Sequence, residues 1–178
     1  MCPEGKVLFV CTGNLCRSPM AEALLRSELE RRGCDGIEVS SAGTWADFGH
    51  AATSEARAAV SARGADLSGH RSRPVMEQEL AAADVVIAMT SVHMREIEAL
   101  VPDAMGKVVL LKELAEIQAG PGSGTSADRL RAFLAGTRPA PRRDLDVDDP
   151  IGLPFGAYER CCDELEAGVA VLADVLCG

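Results

Sequence analysis

The sequence predicts an α/β fold of three layers, with helices on both faces of a central four-stranded parallel sheet. Short apolar segments alternate with longer segments of helical periodicity along the chain, which is the pattern of a parallel sheet. The segment Asp84–Met89 is apolar almost without interruption, as expected of a strand buried on both faces. The length of 178 residues suits one domain. We therefore expect residues 1–178 to form a single domain.

The first strand and helix are clearly marked. Lys6–Val10 is a short apolar run with β-branched residues, which predicts a strand. A helix is predicted to begin at Ser18, because serine favours the N-cap position and Pro19 suits the first turn. Its apolar positions recur at helical spacing until Gly33, a residue typical of helix ends. Ile37–Ser41 is predicted to be the second strand.

The remaining elements continue the alternation. In chain order we predict a helix, a short helix, a strand, a helix and a strand at Ser54–Arg63, Val75–Ala82, Asp84–Met89, Ser91–Val101 and Lys107–Leu111. Residues 118–143 are rich in Gly, Pro, Ser and Arg, so we expect a flexible loop insertion with a short helix at Asp128–Ala135. The final helix has the clearest apolar stripe, formed by Tyr158, Cys161, Cys162, Leu165, Val169, Leu172 and Leu176.

Composition and charge restrict the possible partners. The net charge of −9 disfavours nucleic acid and acidic membranes, because both bind basic surfaces. The apolar run Val7–Val10 is too short for the core of a signal peptide, and no run is long enough to span a membrane. The seven cysteines are therefore expected to be thiols in a reducing, cytoplasmic compartment.

Cysteines and histidines give no sign of a metal site. The sequence has no Cys-x-x-Cys pair, and its three histidines are scattered, at His50, His70 and His93. Three further cysteines are expected to be packing residues rather than ligands: Cys34, Cys161 and Cys162. We therefore expect no bound metal.

The loop between the first strand and the first helix carries the candidate chemistry. Cys11 stands at the carboxyl end of a predicted strand, the edge of a parallel sheet where sites lie. Successive N–H groups leading into a helix N-terminus bind anions and stabilise a thiolate. Gly13 and Asn14 tolerate the left-handed backbone of a concave loop, and Arg17 can hold two phosphoryl oxygens. Spacing alone would also fit a buried structural thiol and a surface arginine, but the strand–loop–helix setting favours an anion site.

The segment Val7–Ala23 (VLFVCTGNLCRSPMAEA) resembles the opening of the low-molecular-weight protein tyrosine phosphatases. It matches the CxGNxCRSP loop of that family at every fixed position. Four more segments resemble the family in the same order, namely Ser40–Thr44, Asp66–Arg73, Asp84–Thr90 and Asp149-Pro150. The resemblance spans roughly residues 6–175 and implies a cysteine-dependent phosphatase.

The resemblance implies a phosphocysteine mechanism that uses no cofactor. Cys11 would attack phosphorus, while Arg17 and the loop would hold the phosphoryl oxygens. The phosphate-binding loop residues are Thr12, Gly13, Asn14, Leu15 and Cys16. Asp149 would protonate the leaving oxygen and then activate water, and Ser18 would hydrogen-bond the sulfur. Asp149 is favoured over its acidic neighbours Asp144, Asp146 and Asp148 because proline follows it, although Asp-Pro also commonly starts turns.

The family pattern implies supporting residues as well. Asn14, Ser41 and His70 resemble a network that holds the loop in shape, and we expect a structural rather than a catalytic role for His70. Cys16 resembles a second loop thiol, which could form a disulfide with Cys11 under oxidation.

The pocket residues leave two substrates open. Tyrosine-specific members carry aromatic residues directly after Asp-Pro, whereas here Ile151 follows Pro150. Trp45 and Phe155 are the candidates to flank a phenyl ring, and ordinary loop packing is the alternative for Trp45. The loop that carries Asp149-Pro150 and precedes the final helix is called the acid loop. A branch acting on phosphoarginine also has a glycine-rich acid loop, but it has threonine where this chain has Leu15. Leucine favours an apolar ring, so we predict a protein tyrosine phosphatase, with a protein arginine phosphatase as the alternative.

Two other functions have less support. An arsenate-reducing branch uses further cysteines near the third strand, and residues 80–100 contain none. A catalytically silent phosphate-binding or regulatory protein would bind without turnover, yet Cys11, Arg17 and an acid-loop aspartate are all present. The expected partner is a phosphorylated protein, with phosphate or another oxyanion in the loop, and we expect a monomer.

Overall fold

Helices and strands alternate along the chain in the computed structural model, which describes residues 5–120, 122–140 and 142–178. The strands are β1 (Gly5–Cys11), β2 (Ile37–Gly43), β3 (Val85–Ala88) and β4 (Val108–Leu110). The α-helices are α1 (Arg17–Arg32), α2 (Ser54–Ser61), α3 (Glu77–Ala82), α4 (Ser91–Leu100), α5 (Ser126–Leu134) and α6 (Phe155–Cys177). Short 3-10 helices occupy Pro102–Lys107, Lys112–Glu116 and Arg143–Leu145.

The four strands form one parallel sheet in the order β2-β1-β3-β4. Phe9 of β1 lies opposite Ser41 of β2 and Ile87 of β3. β1 is thus an inner strand, and Cys11 leaves the sheet in the middle of its carboxyl edge. The predicted four-stranded parallel sheet is confirmed.

Hydrophobic side chains of β1 alternate between the two faces of the sheet. Val7 and Phe9 belong to the core that includes buried residues of α1, α2 and α6. Leu8 and Val10 belong to a second core, which includes buried residues of α3 and α4. Complete burial of each large apolar side chain contributes roughly 1.5–3 kcal/mol. The helices on both faces give the three predicted layers.

α1 begins at Arg17, one residue before the predicted start, and Ser18 is not its cap. The N-cap is Cys16, which makes no side-chain capping bond. The Ser18 hydroxyl is occupied instead by other groups, including Cys11 Sγ at 3.0 Å. The predicted end is confirmed, since Gly33 adopts a left-handed conformation with φ 66°.

The stretch 118–143 contains α5, which begins two residues before the predicted helix. Thr125 and Asp128 form its capping box, and Leu130 is fully buried in the core that includes residues of α6. Arg138 pairs with the buried carboxylate of Glu113 and donates to the Val108 carbonyl. These contacts tie the described part of the stretch to the fold, and its flexibility stays a prediction. Pro121 and Pro141 lie outside the described residues.

Cys34 and Cys177 form a disulfide, so the prediction that every cysteine is a free thiol is wrong for this pair. Cys34 follows the end of α1 and Cys177 ends α6. The two helices pack against each other, which brings Cα atoms 143 positions apart in sequence to 5.8 Å. Such a pairing between distant helix ends is invisible to local patterns. The other described cysteines are free and buried, namely Cys11, Cys16, Cys161 and Cys162.

Two further features concern the described ranges as a whole. None of their helices combines the length and the apolar character needed to cross a membrane. In the same ranges, no three His, Cys, Asp or Glu side chains come together in a way that would hold a metal ion.

Candidate active site

Residues 12–16 form the loop that joins β1 to α1, and several carbonyls of this region are hydrogen-bonded to other segments. The carbonyls of Cys11, Thr12, Asn14 and Leu15 accept hydrogen bonds from Thr44 N, Trp45 N, His70 Nε2 and Thr53 N at 2.9, 3.0, 2.8 and 3.1 Å. Within the described residues, no backbone N–H of residues 12–16 donates to a backbone carbonyl outside helices and strands. The loop therefore presents donors to an anion at the N-terminus of α1.

Cys11 is buried at the start of this loop, and its sulfur lies 3.0 Å from the Ser18 hydroxyl. Asn14 Nδ2 donates to the same hydroxyl at 3.0 Å. Ser18 has one proton, which it can give either to the sulfur or to the Ala42 carbonyl at 3.3 Å. A negatively charged sulfur would draw that proton, because hydrogen bonds to charged acceptors are stronger.

Asn14 holds the loop in its concave shape. It is fully buried and has φ 54°, the left-handed region that non-glycine residues seldom adopt. Its Nδ2 also donates to Ser41 Oγ at 2.9 Å, and its Oδ1 accepts from Arg73 N at 3.1 Å. The bond from His70 Nε2 to the Asn14 carbonyl completes the network. The predicted supporting residues Ser41 and His70 both contact Asn14.

Arg17 lies at the start of α1 with its guanidinium buried and directed at the acid loop. Nη2 contacts Asp149 Oδ2 at 2.5 Å, and Nη1 donates to the Val147 carbonyl at 3.1 Å. Nε is buried and has no hydrogen-bond partner among the described residues. A buried donor of this kind calls for an acceptor, and a phosphoryl oxygen could supply one. Arg17 and Asp149, 132 positions apart in sequence, therefore meet at the start of α1.

Asp149 is the only one of the four nearby aspartates that the structure places on Arg17 within the described residues. Its side chain is 40% exposed, and Oδ1 accepts from Ile151 N at 3.2 Å, so it also forms the turn that Asp-Pro suggested. Asp146 instead accepts from Ser91 N at 2.7 Å and thereby anchors the acid loop to the start of α4. Asp144 pairs with Arg142 on the surface, and Asp148 is exposed.

The three predicted pocket residues differ in exposure. Leu15 is half-buried, and a Cβ placed on Gly13 would lie 3.7 Å from its side chain. Trp45 is 76% exposed, although its Nε1 donates to Glu96 at 2.7 Å. Phe155, the first residue of α6, is 41% exposed. The structure thus leaves Trp45 and Phe155 accessible.

Comparisons with known proteins agree with this geometry. The family model of low molecular weight phosphotyrosine protein phosphatases matches residues 6–121. The chain belongs to this family.

Among its relatives, a protein-arginine-phosphatase of Geobacillus stearothermophilus is 36% identical over 96% of this chain and 95% of its own length. A probable low molecular weight protein-tyrosine-phosphatase, EpsP of Ralstonia solanacearum, is 38% identical over 92% of this chain and 90% of its own. The structure of a low molecular weight protein tyrosine phosphatase from T. tengcongensis matches with a TM-score of 0.75 and 32% identity. The match covers 96% of this chain and 98% of that one.

The chain is therefore a cysteine-dependent protein phosphatase, and its structure adds site residues that the sequence had not singled out. His93, on the first turn of α4, contacts the Thr12 hydroxyl through Nε2 at 2.8 Å. Gly43, at the end of β2, lies so close to the loop that a Cβ would meet the Thr12 carbonyl at 2.3 Å. Gly43 ends β2 and His93 follows β3, so both lie at the carboxyl edge of the sheet. That position could have identified them as candidate site residues.

Proposed function

We propose that this phosphatase hydrolyses phosphotyrosine in proteins through a phosphocysteine intermediate. The observation that carries the proposal is the contact of Cys11 Sγ with the Ser18 hydroxyl at a loop whose carbonyls are hydrogen-bonded to other segments. The buried guanidinium of Arg17 follows directly after this loop. Cys11 Sγ attacks phosphorus as the bond to the leaving oxygen breaks. The loop donors and Arg17 hold the phosphoryl oxygens in the transition state.

Asp149 serves as the proton donor in this proposal. In the structure it is paired with Arg17, and a phosphoryl dianion would compete with it for the guanidinium. Its exposed carboxyl group would then turn to the leaving oxygen and protonate it. In the second step the same carboxylate takes a proton from water, which attacks phosphorus and releases Cys11. Ser18 donates its proton to the departing sulfur.

Leu15 is the residue that favours phosphotyrosine. Its side chain is apolar and lies beside Gly13 in the loop, where it can contact a phenyl ring. Trp45 and Phe155 are exposed and can flank the ring. Protein arginine phosphatase activity is the second candidate, because a relative with that name aligns over nearly the whole chain. The glycine-containing acid loop, in which Gly152 has φ 75°, supports the same alternative.

The deciding experiment compares a phosphotyrosine peptide with a phosphoarginine peptide, using Cys11→Ser as the blank. We expect phosphotyrosine to have the higher kcat/KM. Leu15→Thr should shift the ratio toward phosphoarginine by about tenfold, the value of one neutral hydrogen bond of about 1.4 kcal/mol. Leu15→Val keeps an apolar side chain and is the matched control. Faster turnover of phosphoarginine by the wild type would reverse the assignment, and phosphate binding without turnover would indicate a silent binding protein.

Redox protection of the nucleophile is a further part of the proposal. Peroxide would convert Cys11 to a sulfenic acid, and the Cys16 thiol would displace water to form a disulfide. Cys16 is buried near Thr53 and Tyr158, and burial raises its pKa. Mass spectrometry after mild peroxide should find the Cys11–Cys16 link, and its absence would remove this step. Cys161 and Cys162 are poorer candidates for an arsenate relay, since burial raises both of their pKa values, that of Cys162 to about 11.

We also propose that the protein acts as a cytoplasmic monomer on phosphorylated proteins rather than on nucleic acid or membranes. A cysteine nucleophile must stay reduced to act, which supports a reducing compartment, whereas the Cys34–Cys177 disulfide is of a kind more common in oxidising ones. The net charge of −9 disfavours polyanionic surfaces. Light scattering after size exclusion should give the mass of one chain, and the mass of two would contradict the monomer.

A further inference from the structure

His93 is a buried histidine beside the nucleophile loop, and no step of the proposed mechanism uses it. Its side chain lies on the first turn of α4 and is only 2% exposed. Nδ1 lies 3.0 Å from Thr90 Oγ1, and Nε2 lies 2.8 Å from Thr12 Oγ1. Thr12 directly follows Cys11, so this short chain of bonds links the end of β3 to the loop. Both ring nitrogens are occupied, as expected of an oriented imidazole.

The hydrogen bonds assign the protons along this chain. Thr90 caps α4, and its hydroxyl oxygen accepts from His93 N at 3.4 Å. We assign the tautomer in which the Thr90 hydroxyl donates to Nδ1, so that Nε2 carries the imidazole proton and donates it to Thr12. The Thr12 hydroxyl then keeps its own proton for another acceptor.

The surroundings keep the imidazole neutral. Burial, and after it the positive charge of Arg17, lower the pKa of His93 to about 4 against the opposing charges of Glu96, Asp149 and Asp146. Arg17 belongs to α1, while Asp146 and Asp149 belong to the acid loop and Glu96 to α4 itself. A neutral ring with one donor and one acceptor is what the bonding pattern requires.

We propose that His93 is a positioning residue that fixes the Thr12 side chain, so that the Thr12 hydroxyl donates its proton to an oxygen of the bound phosphoryl group. The carbonyl of Thr12 is fixed separately by Trp45 N at 3.0 Å. The side chain of Thr12 is therefore held by His93 while its backbone is held by the loop after β2. The inference rests on the phosphatase function proposed above.

A double-mutant cycle tests the proposal. Thr12→Val removes the hydroxyl with little change of shape, His93→Leu removes both imidazole bonds, and His93→Gln restores a nitrogen donor near the position of Nε2. We expect each of the first two to lower kcat/KM on an aryl phosphate by about tenfold, the effect of one hydrogen bond. The double variant should be no worse than either single variant, because His93 acts only through Thr12. His93→Gln should recover most of the activity.

Two outcomes would overturn the proposal. One is a multiplicative loss of about 100-fold in the double variant, and the other is a His93→Gln variant no better than His93→Leu at equal Tm. If His93→Leu fails to fold, His93→Asn, whose side chain is too short to reach Thr12, replaces it in the cycle. The same cycle run on the dissociation constant of inorganic phosphate, measured by calorimetry, does not need turnover. A wild type without activity would therefore reject the proposed function, while the phosphate cycle would still support or refute the His93–Thr12 coupling.

Discussion

Gly43→Ala should disable the phosphatase without touching any residue of the nucleophile loop. A Cβ on Gly43 would lie 2.3 Å from the Thr12 carbonyl oxygen, 2.7 Å from Ala46 Cβ and 3.0 Å from Asn14 N. Two of these three atoms belong to the loop backbone, which cannot rotate away as a side chain can. Gly43 does not have a positive φ, so the effect comes from the close approach and not from backbone strain.

The size of the effect follows from the overlap. Non-bonded atoms rest about 3.5–4 Å apart, so the loop or β2 must move by about 1 Å. A displacement of that size in a catalytic constellation costs roughly 100-fold in rate. Overpacking of this kind costs about 1–3 kcal/mol of stability, which for this chain length lowers Tm by roughly 2–12 °C. We therefore expect a folded protein with about 1% of the wild-type kcat/KM.

The assay measures kcat/KM on an aryl phosphate, inhibition by inorganic phosphate and Tm for the same samples. Gly106→Ala is the matched control, because a Cβ there has no atom within 4 Å and its φ is not positive. It should keep both activity and phosphate affinity. Should Gly43→Ala retain activity within threefold of the wild type, the loop would be more tolerant than this reasoning allows, and the role assigned to the close approach would be wrong.

Two further predictions concern stability. Cys34→Ser should lower Tm in non-reducing buffer by roughly 4–16 °C, because a cross-link spanning 143 positions restricts the unfolded chain and contributes about 2–4 kcal/mol. Reductant should bring the wild type to the Tm of the variant, and a wild-type Tm that ignores reductant would contradict the cross-link. His93 has its pKa lowered from 6.5 to about 4 in the folded protein, so the unfolded chain binds its proton more readily and stability falls as the pH falls through this window. Denaturant titrations from pH 7 to 4.5 should show the wild type losing about 2 kcal/mol more than His93→Gln, whereas parallel curves would refute the shift.

Much of the fold could be predicted because its signals are local. The buried strand β3, predicted at Asp84–Met89 and observed at Val85–Ala88, and the stripe of α6 need only hydrophobic periodicity to be recognised. The start of α1 was misplaced because Ser18 has the chemistry of an N-cap but bonds to Cys11 instead. Functional demand thus overrode local preference at one residue. The Cys34–Cys177 bond was missed for a different reason. It depends on the C-terminal ends of α1 and α6 lying side by side in the folded protein, which no local pattern shows.

The residues proposed for the chemistry could be predicted from the sequence, but some of the residues that pack against the nucleophile loop could not. The order Cys11, Arg17, Asp149 could be read from one loop and one Asp-Pro pair. The structure pairs Arg17 with Asp149 and places Cys11 against Ser18. His93 and Gly43 were not identified, because a single histidine or glycine has many possible roles. Only the folded structure shows that each contacts Thr12.

The shape of the nucleophile loop is set by distant parts of the chain. Asn14 keeps its left-handed conformation through bonds to Ser41, His70 and Arg73, which lie 27, 56 and 59 positions away. Asparagine tolerates this conformation better than other non-glycine residues but does not prefer it, and within the described residues its one side-chain partner near in sequence is Ser18. The concave form can therefore persist only after β2 and the segment following α2 have packed around it. Formation of the anion site is thus coupled to folding of the sheet edge, so substitutions in this network should reduce stability and activity together.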